Sequence, residues 1–105
     1  MKLNEYIDND SYSFLKKYLN NSSPVGDEME GQKIWLTYIK KYVNFCHSDS
    51  YGNSYGIINK DSRFKVVIEA HADEISWKVN YINENGLIYC KANGDIDHQI
   101  APSMR

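Results

Sequence analysis

The run Phe64-Lys65-Val66-Val67-Ile68-Glu69-Ala70 constrains this chain more than any other stretch, because it is nearly continuous in apolar residues instead of alternating wet and dry positions. Such a run predicts a β-strand covered on both faces. It leads straight into His71-Ala72-Asp73-Glu74. Side chains alternate along a strand, so His71 and Asp73 would point the same way, about 7 Å apart at the usual rise per residue. Strand ends in open α/β sheets collect functional sites, since the departing loops diverge and open a crevice. A carboxylate so placed can orient a metal-bound imidazole. The same pattern also suits an ordinary strand exit with no ligand duty, and spacing alone leaves both readings open.

At 105 residues the chain is one domain or part of one. A globule of this size buries roughly 60–70% of its extended-chain surface, so a modest core is expected. Charged residues make up 25% and the net charge is -2, without the basic excess that phosphate backbones demand. Nucleic acid is therefore not an expected partner. No apolar run approaches the roughly 20 residues that span a bilayer, and Met1-Lys2-Leu3-Asn4-Glu5-Tyr6 lacks the apolar centre of a secretory signal. The expectation is a cytoplasmic protein with no membrane partner. Cys46 and Cys90 stand far apart, outside any C-x-x-C spacing, and read as buried free thiols. The nine tyrosines suggest many core-edge positions where the ring is buried and the hydroxyl stays wet.

Phe14, Leu15, Tyr18 and Leu19 fall at helical spacing behind Asp10 or Ser11 as N-cap, and Asn20-Asn21-Ser22-Ser23-Pro24 ends that helix. A longer helix is expected after Gly26. Asp27, Glu28 and Glu30 suit its positive end, and its apolar stripe runs through Ile34, Trp35, Tyr38, Ile39, Tyr42, Val43, Phe45 and Cys46. From His47 short β-rich pieces follow, with Gly52-Asn53 as a tight turn into a strand over 54–59. Ile75, Trp77, Val79 and Tyr81 alternate with Ser76, Lys78 and Asn80 as in a strand with one wet face, and residues 87–91 return. Asn85-Gly86 between them favours the left-handed dihedrals of a two-residue hairpin turn. The predicted class is α/β, or an α+β piece of it: two N-terminal helices, a short strand pair, a buried central strand and a β-hairpin.

Three stretches together resemble the tetrahedral and glutamyl aminopeptidase family of dinuclear metallopeptidases. Ser23-Pro24-Val25-Gly26-Asp27-Glu28 is similar to the family's P-S-G-x-E segment, and Asp49-Ser50-Tyr51-Gly52-Asn53 to its D-x-x-G-N turn. Ala70-His71-Ala72-Asp73-Glu74-Ile75, followed by Val79-Asn80-Tyr81-Ile82-Asn83-Glu84-Asn85-Gly86, resembles its A-H-x-D-E-[IV] strand end and the next hairpin. The resemblance implies a phosphorylase/hydrolase-like catalytic domain whose N-terminal part is residues 1–74, with residues 75–105 leading into an inserted β domain. It implies that His71 ligates one of two divalent ions, zinc or cobalt, and that the catalytic-site acid Asp73 holds the imidazole in its ligating tautomer. Substrates would be peptides, cut at the first bond from the free amino end, in a homo-oligomer of twelve subunits.

Ser76-Trp77 and Glu69 depart from the family pattern without touching the ligand, and Asn93-Gly94-Asp95-Ile96-Asp97-His98-Gln99 resembles it too loosely to give Asp97 or His98 a role. The family's bridging aspartate, paired glutamates, further acidic ligand and second histidine are expected beyond residue 105. The chain therefore reads as the N-terminal portion of a metal-dependent aminopeptidase, inactive and without tightly bound metal by itself. Two other readings accompany it: a non-catalytic assembly or peptide-binding module using the hairpin edge, and a clan relative differing only in substrate.

Overall fold

Two helices and two antiparallel hairpins appear in the computed structural model, which describes residues 6–99. Their order is α1 (Asn9–Leu19), α2 (Met29–Ile39), β1 (Phe45–Ser48), β2 (Ser54–Ile57), β3 (Ser76–Ile82) and β4 (Ile88–Asn93). This is the α+β composition expected. The N-cap of α1 is Asp8, earlier than Asp10 or Ser11, and its carboxylate accepts the Ser11 amide at 2.6 Å. That bond satisfies one of the unpaired donors of the first turn. The α1–α2 contact is aromatic: the rings of Phe14 and Tyr38 stack at 3.9 Å and 9°. Ser11 Oγ and Tyr38 Oη share a hydrogen bond of 2.8 Å, and Lys41 pairs with Asp10 while lying 4.5 Å from the Tyr38 ring centroid.

Helix α2 is shorter than its apolar stripe. It ends at Ile39, and Phe45 and Cys46 join β1 instead, with Phe45 opposite Ile57 and Cys46 opposite Gly56. The physical reason lies in the turn that follows. Asp49 Oδ1 accepts the amides of Tyr51 and Asn53 at 2.9 and 3.0 Å, and Asn53 Nδ2 donates to Oδ2 at 3.0 Å. Asp49 and Asn53 also close a backbone bond, and Gly52 takes the left-handed φ of 85°. With register fixed there, pairing reaches back as far as Phe45 and claims the end of the stripe.

The β3–β4 turn repeats this chemistry with an amide in place of the acid. Asn83 Oδ1 accepts the amides of Asn85 and Leu87 at 3.0 and 2.9 Å, and Gly86 has φ 77°. Because Asn83 N also donates to Leu87 O, the loop is three residues, 84–86, and only Gly86 is left-handed. The two-residue turn expected at Asn85-Gly86 is corrected accordingly; a type I turn followed by a left-handed glycine is the usual three-residue solution. Beyond it, Tyr81 and Tyr89 stack at 4.3 Å, and a register shift between Val79 and Tyr81 bends the ribbon.

The buried central strand does not form. Residues 64–70 make no backbone-to-backbone hydrogen bond among the described residues, and Phe64, Val66, Val67 and Ile68 are 74–95% exposed. A strand covered on both faces needs neighbours in its sheet and elements above and below it, and here β1–β2 and β3–β4 are separate two-stranded sheets. The modest core is likewise absent: no hydrophobic residue among those described is buried, Cys90 is exposed and Cys46 only half-buried. β3 has no dry face either. The radius of gyration is 18.4 Å, against about 13 Å for a compact chain of this length.

The two turns respond differently to acid. Hydrogen bonds, first from the Asn53 side chain and then from backbone amides, hold the Asp49 carboxyl below its ordinary value of 3.8. A lowered folded-state value means that the carboxylate stabilises the β1–β2 hairpin above the unfolded pKa of about 3.9 and that this is lost as pH falls through the depressed value. Asn83 carries no titrating proton. Acid titration followed by amide chemical shifts is therefore expected to loosen Tyr51 and Asn53 with a midpoint below 3.8, while Asn85 and Leu87 stay fixed.

Candidate functional site

The segment Ser23-Pro24-Val25 and the residues after the apolar run meet as a short parallel bridge. Glu74 N donates to Ser23 O at 2.8 Å, Val25 N donates to Glu74 O at 3.2 Å, and Pro24 faces Glu74. Glu74 also uses its side chain: Oε1 accepts the Ser23 amide at 2.9 Å, across 51 residues of sequence. Ser23 is 7% exposed and presses on Gly31 in α2, where an added Cβ would lie 2.5 Å from Ser23 Oγ. Gly31 thus has no room for a side chain. From the far side, Asn93 Nδ2 donates to Val25 O at 2.9 Å and to Ser76 Oγ at 3.1 Å, bringing the hairpin to the same loop.

This bridge opens a cleft of about 190 Å³ lined by Tyr18, Leu19, Asn21, Ser23 and the His71–Glu74 stretch. The His71 ring sits on its rim, 85% exposed, beside an Asp73 side chain that is 39% exposed. His71 Nδ1 lies 2.9 Å from the Asp73 carbonyl and 3.2 Å from Oδ1. With Nδ1–H donating to these oxygens, the lone pair of Nε2 is the free one. Both expected site residues are therefore adjacent, at one cleft, with the acid against the imidazole. His98 packs its ring on Trp77 at 5.6 Å, and Asp97 accepts the Gln99 amide at 2.9 Å.

A larger groove of about 430 Å³ lies between the start of α2 and the turn after β1. Two of its three acids are already engaged: Glu28 Oε1 accepts the Gly26 amide at 2.6 Å, and Asp49 holds its turn, while Asp27 also lines it. The smaller cleft carries the His71 imidazole. One imidazole fits one position in the shell of a divalent ion, whereas catalytic zinc takes three protein ligands. Among the described residues no group of three His, Cys, Asp or Glu side chains could hold a metal ion.

Comparison with known proteins bears on the cleft that carries His71. The M42 glutamyl aminopeptidase family matches residues 52–105, half of the chain, including His71 and the whole β3–β4 hairpin. The chain belongs to this family. It is 30% identical over 87 residues to a curated protein of Acetivibrio thermocellus named "Putative aminopeptidase", a match covering 83% of this chain and 26% of that relative. The M42 chain thus spans about a quarter of the relative's length. No solved structure matches it. No described helix is long and apolar enough to cross a membrane.

Glu74 is the residue that sequence reading left without a role in this M42 chain. It stood inside the A-H-x-D-E motif, but its hydrogen-bond acceptor duty toward Ser23 depends on a contact that no local pattern encodes. A hydrogen bond of this kind contributes about 1 kcal/mol, so Glu74→Ala is expected to speed exchange of the Ser23 amide about fivefold. Glu74→Gln, which keeps an acceptor oxygen, should recover most of the protection in the same hydrogen-exchange measurement.

Proposed function

We propose that this chain supplies the N-terminal, metal-facing corner of an aminopeptidase catalytic domain. His71 Nε2 is one inner ligand of a two-ion centre for zinc or cobalt, and Asp73 is the acid that fixes the ring for that task. The observation that carries the reading is the Nδ1 contact to Asp73 at the mouth of a cleft, since it engages one ring nitrogen and leaves Nε2 as the one for a ligand. Membership of the M42 family supports the hydrolase class. Substrates are peptides with a free amino end, in a cytoplasmic homo-oligomer.

The residues at hand have limited work in that scheme. His71 offers a lone pair, Asp73 holds the proton on the other nitrogen, and Glu74 keeps the Ser23–Val25 loop against the site. The chemistry that bound divalent ions would supply is polarisation of the scissile carbonyl and acidification of a water. The remaining ligands and the general base belong to a longer chain of the relative's type, within which residues 1–74 are the start of the catalytic domain and residues 75–105 lead into an inserted β domain.

In a full-length M42 polypeptide carrying this sequence, His71→Ala is expected to abolish hydrolysis of aminoacyl-anilides and to lower the bound metal measured by elemental analysis. Asp73→Asn should cost about 10–100-fold in metal affinity or activity. Unchanged turnover and metal content in His71→Ala would defeat the reading. The 105-residue chain alone is expected to show no peptidase activity, and calorimetry should find at most weak zinc binding.

A further inference from the structure

Two Asn-Gly steps occur in the chain, Asn85-Gly86 and Asn93-Gly94, and the fold treats them unequally. An asparagine before glycine can be attacked at its side-chain carbon by the next backbone nitrogen, because glycine has no Cβ to crowd the approach. Asn93 is half-buried at the base of the β3–β4 ribbon, opposite Ser76. Its Nδ2 donates to Val25 O at 2.9 Å and to Ser76 Oγ at 3.1 Å. Gly94 beside it is closely packed: a Cβ there would lie 3.0 Å from Ile75 and 3.2 Å from Val25. Asn85 stands at the other end of the ribbon, in the loop beyond the Ile82–Ile88 pair. It is exposed, and although its backbone amide is held by Asn83 Oδ1, its side chain makes no hydrogen bond among the described residues.

The reaction conserves its atoms and transfers no electrons to or from the chain. Gly86 N gives its proton to solvent base and bonds to Asn85 Cγ, the Cγ–Nδ2 bond breaks, and ammonia leaves. The resulting cyclic imide takes up water. Opening at Cγ yields aspartate, whereas opening at the main-chain carbonyl yields isoaspartate, in which the backbone runs through Cβ. One bond slows the attack in the folded turn: Gly86 N donates to Asn83 O at 3.0 Å, so a local opening must come first. Loop tips are where such openings concentrate. At Asn93 two side-chain bonds must open, and the residue is paired within a strand. Isoaspartate also lengthens the backbone between Asn83 and Leu87. Asn83 Oδ1 then no longer reaches both the residue-85 and Leu87 amides, which it accepts at 3.0 and 2.9 Å in the intact turn.

We propose that Asn85 is a site of spontaneous covalent modification, converted through a cyclic imide with Gly86 to aspartate and isoaspartate, while Asn93 is protected by its bonds to Val25 and Ser76. This holds whatever the role of His71.

Peptide mapping by mass spectrometry of the 105-residue chain, aged in mildly alkaline buffer, tests this, with an isoaspartyl methyltransferase as the probe for the rearranged product. With one hydrogen bond to open against two, Asn85 is expected to convert at least about fivefold faster than Asn93. In urea the two rates should converge, since the protection of Asn93 is lost with the fold. Asn83→Ala, which frees the amides of Asn85 and Leu87, should speed conversion at Asn85 and leave Asn93 as it was. In the aged chain the Leu87 amide should exchange faster, while the Ser23 amide keeps its protection. Equal or faster conversion of Asn93 in the native chain overturns the proposal. An Asn85 that stays intact while the urea-unfolded chain converts overturns it too, and so does a preference for Asn85 that persists in urea, which would belong to local sequence and not to the fold.

Discussion

The contact between Ser23–Val25 and Glu74 holds this molecule together. Both halves are locally self-sufficient: the helices meet through Phe14 and Tyr38, and the hairpins are set by their own turns. Ile39 and Val43 also pack on Gly56 of the first hairpin, but none of this relates the β3–β4 hairpin to the helices. Two backbone bonds and one carboxylate bond, spanning 49 to 51 residues, perform that task, and Asn93 adds the second hairpin to the same loop. Closing so long a loop is entropically unfavourable, though only slowly more so with length. A few well-made bonds near a buried serine, with Gly31 allowing close approach, are sufficient to define the join.

The join also explains why the candidate site lies where it does. Bringing Glu74 against Ser23 fixes the residues just before it, and the turn of chain through Ala72 sets Asp73 against the imidazole of His71. The cleft is the space left between that turn and the end of α1. It carries one imidazole, held through Nδ1. Hydrolysis of a peptide needs more groups than this, which is why the aminopeptidase reading assigns His71 and Asp73 a share of a centre and not the whole of it.

The absence of a hydrophobic interior has a related cause. A helix or a sheet stabilises a domain by burying one apolar side against another element. Here two 11-residue helices and two narrow ribbons cannot enclose a seven-residue apolar run, whose neighbours would have to be strands in one shared sheet. The same residues that are expected to be most buried in a completed sheet are among the most exposed in this chain.

Local chemistry was legible in the residues. Helix α1 and both hairpins follow from periodicity and turn composition, which act over a few positions; His71 and Asp73 were expected to share one face of a strand, and instead a turn of the chain brings them together. Where α2 would stop was not legible, because Phe45 and Cys46 fit a helical stripe and a strand equally well, and pairing with Ile57 and Gly56 decided between them. The fate of residues 64–70 was decided at the tertiary level too. Sequence by itself determined that this run wants to be a strand and that a histidine and an acid follow it. Only the fold determined that it has no strand neighbours here and that Glu74 reaches Ser23, since both depend on segments far apart in the chain and on how much surface there is to cover them.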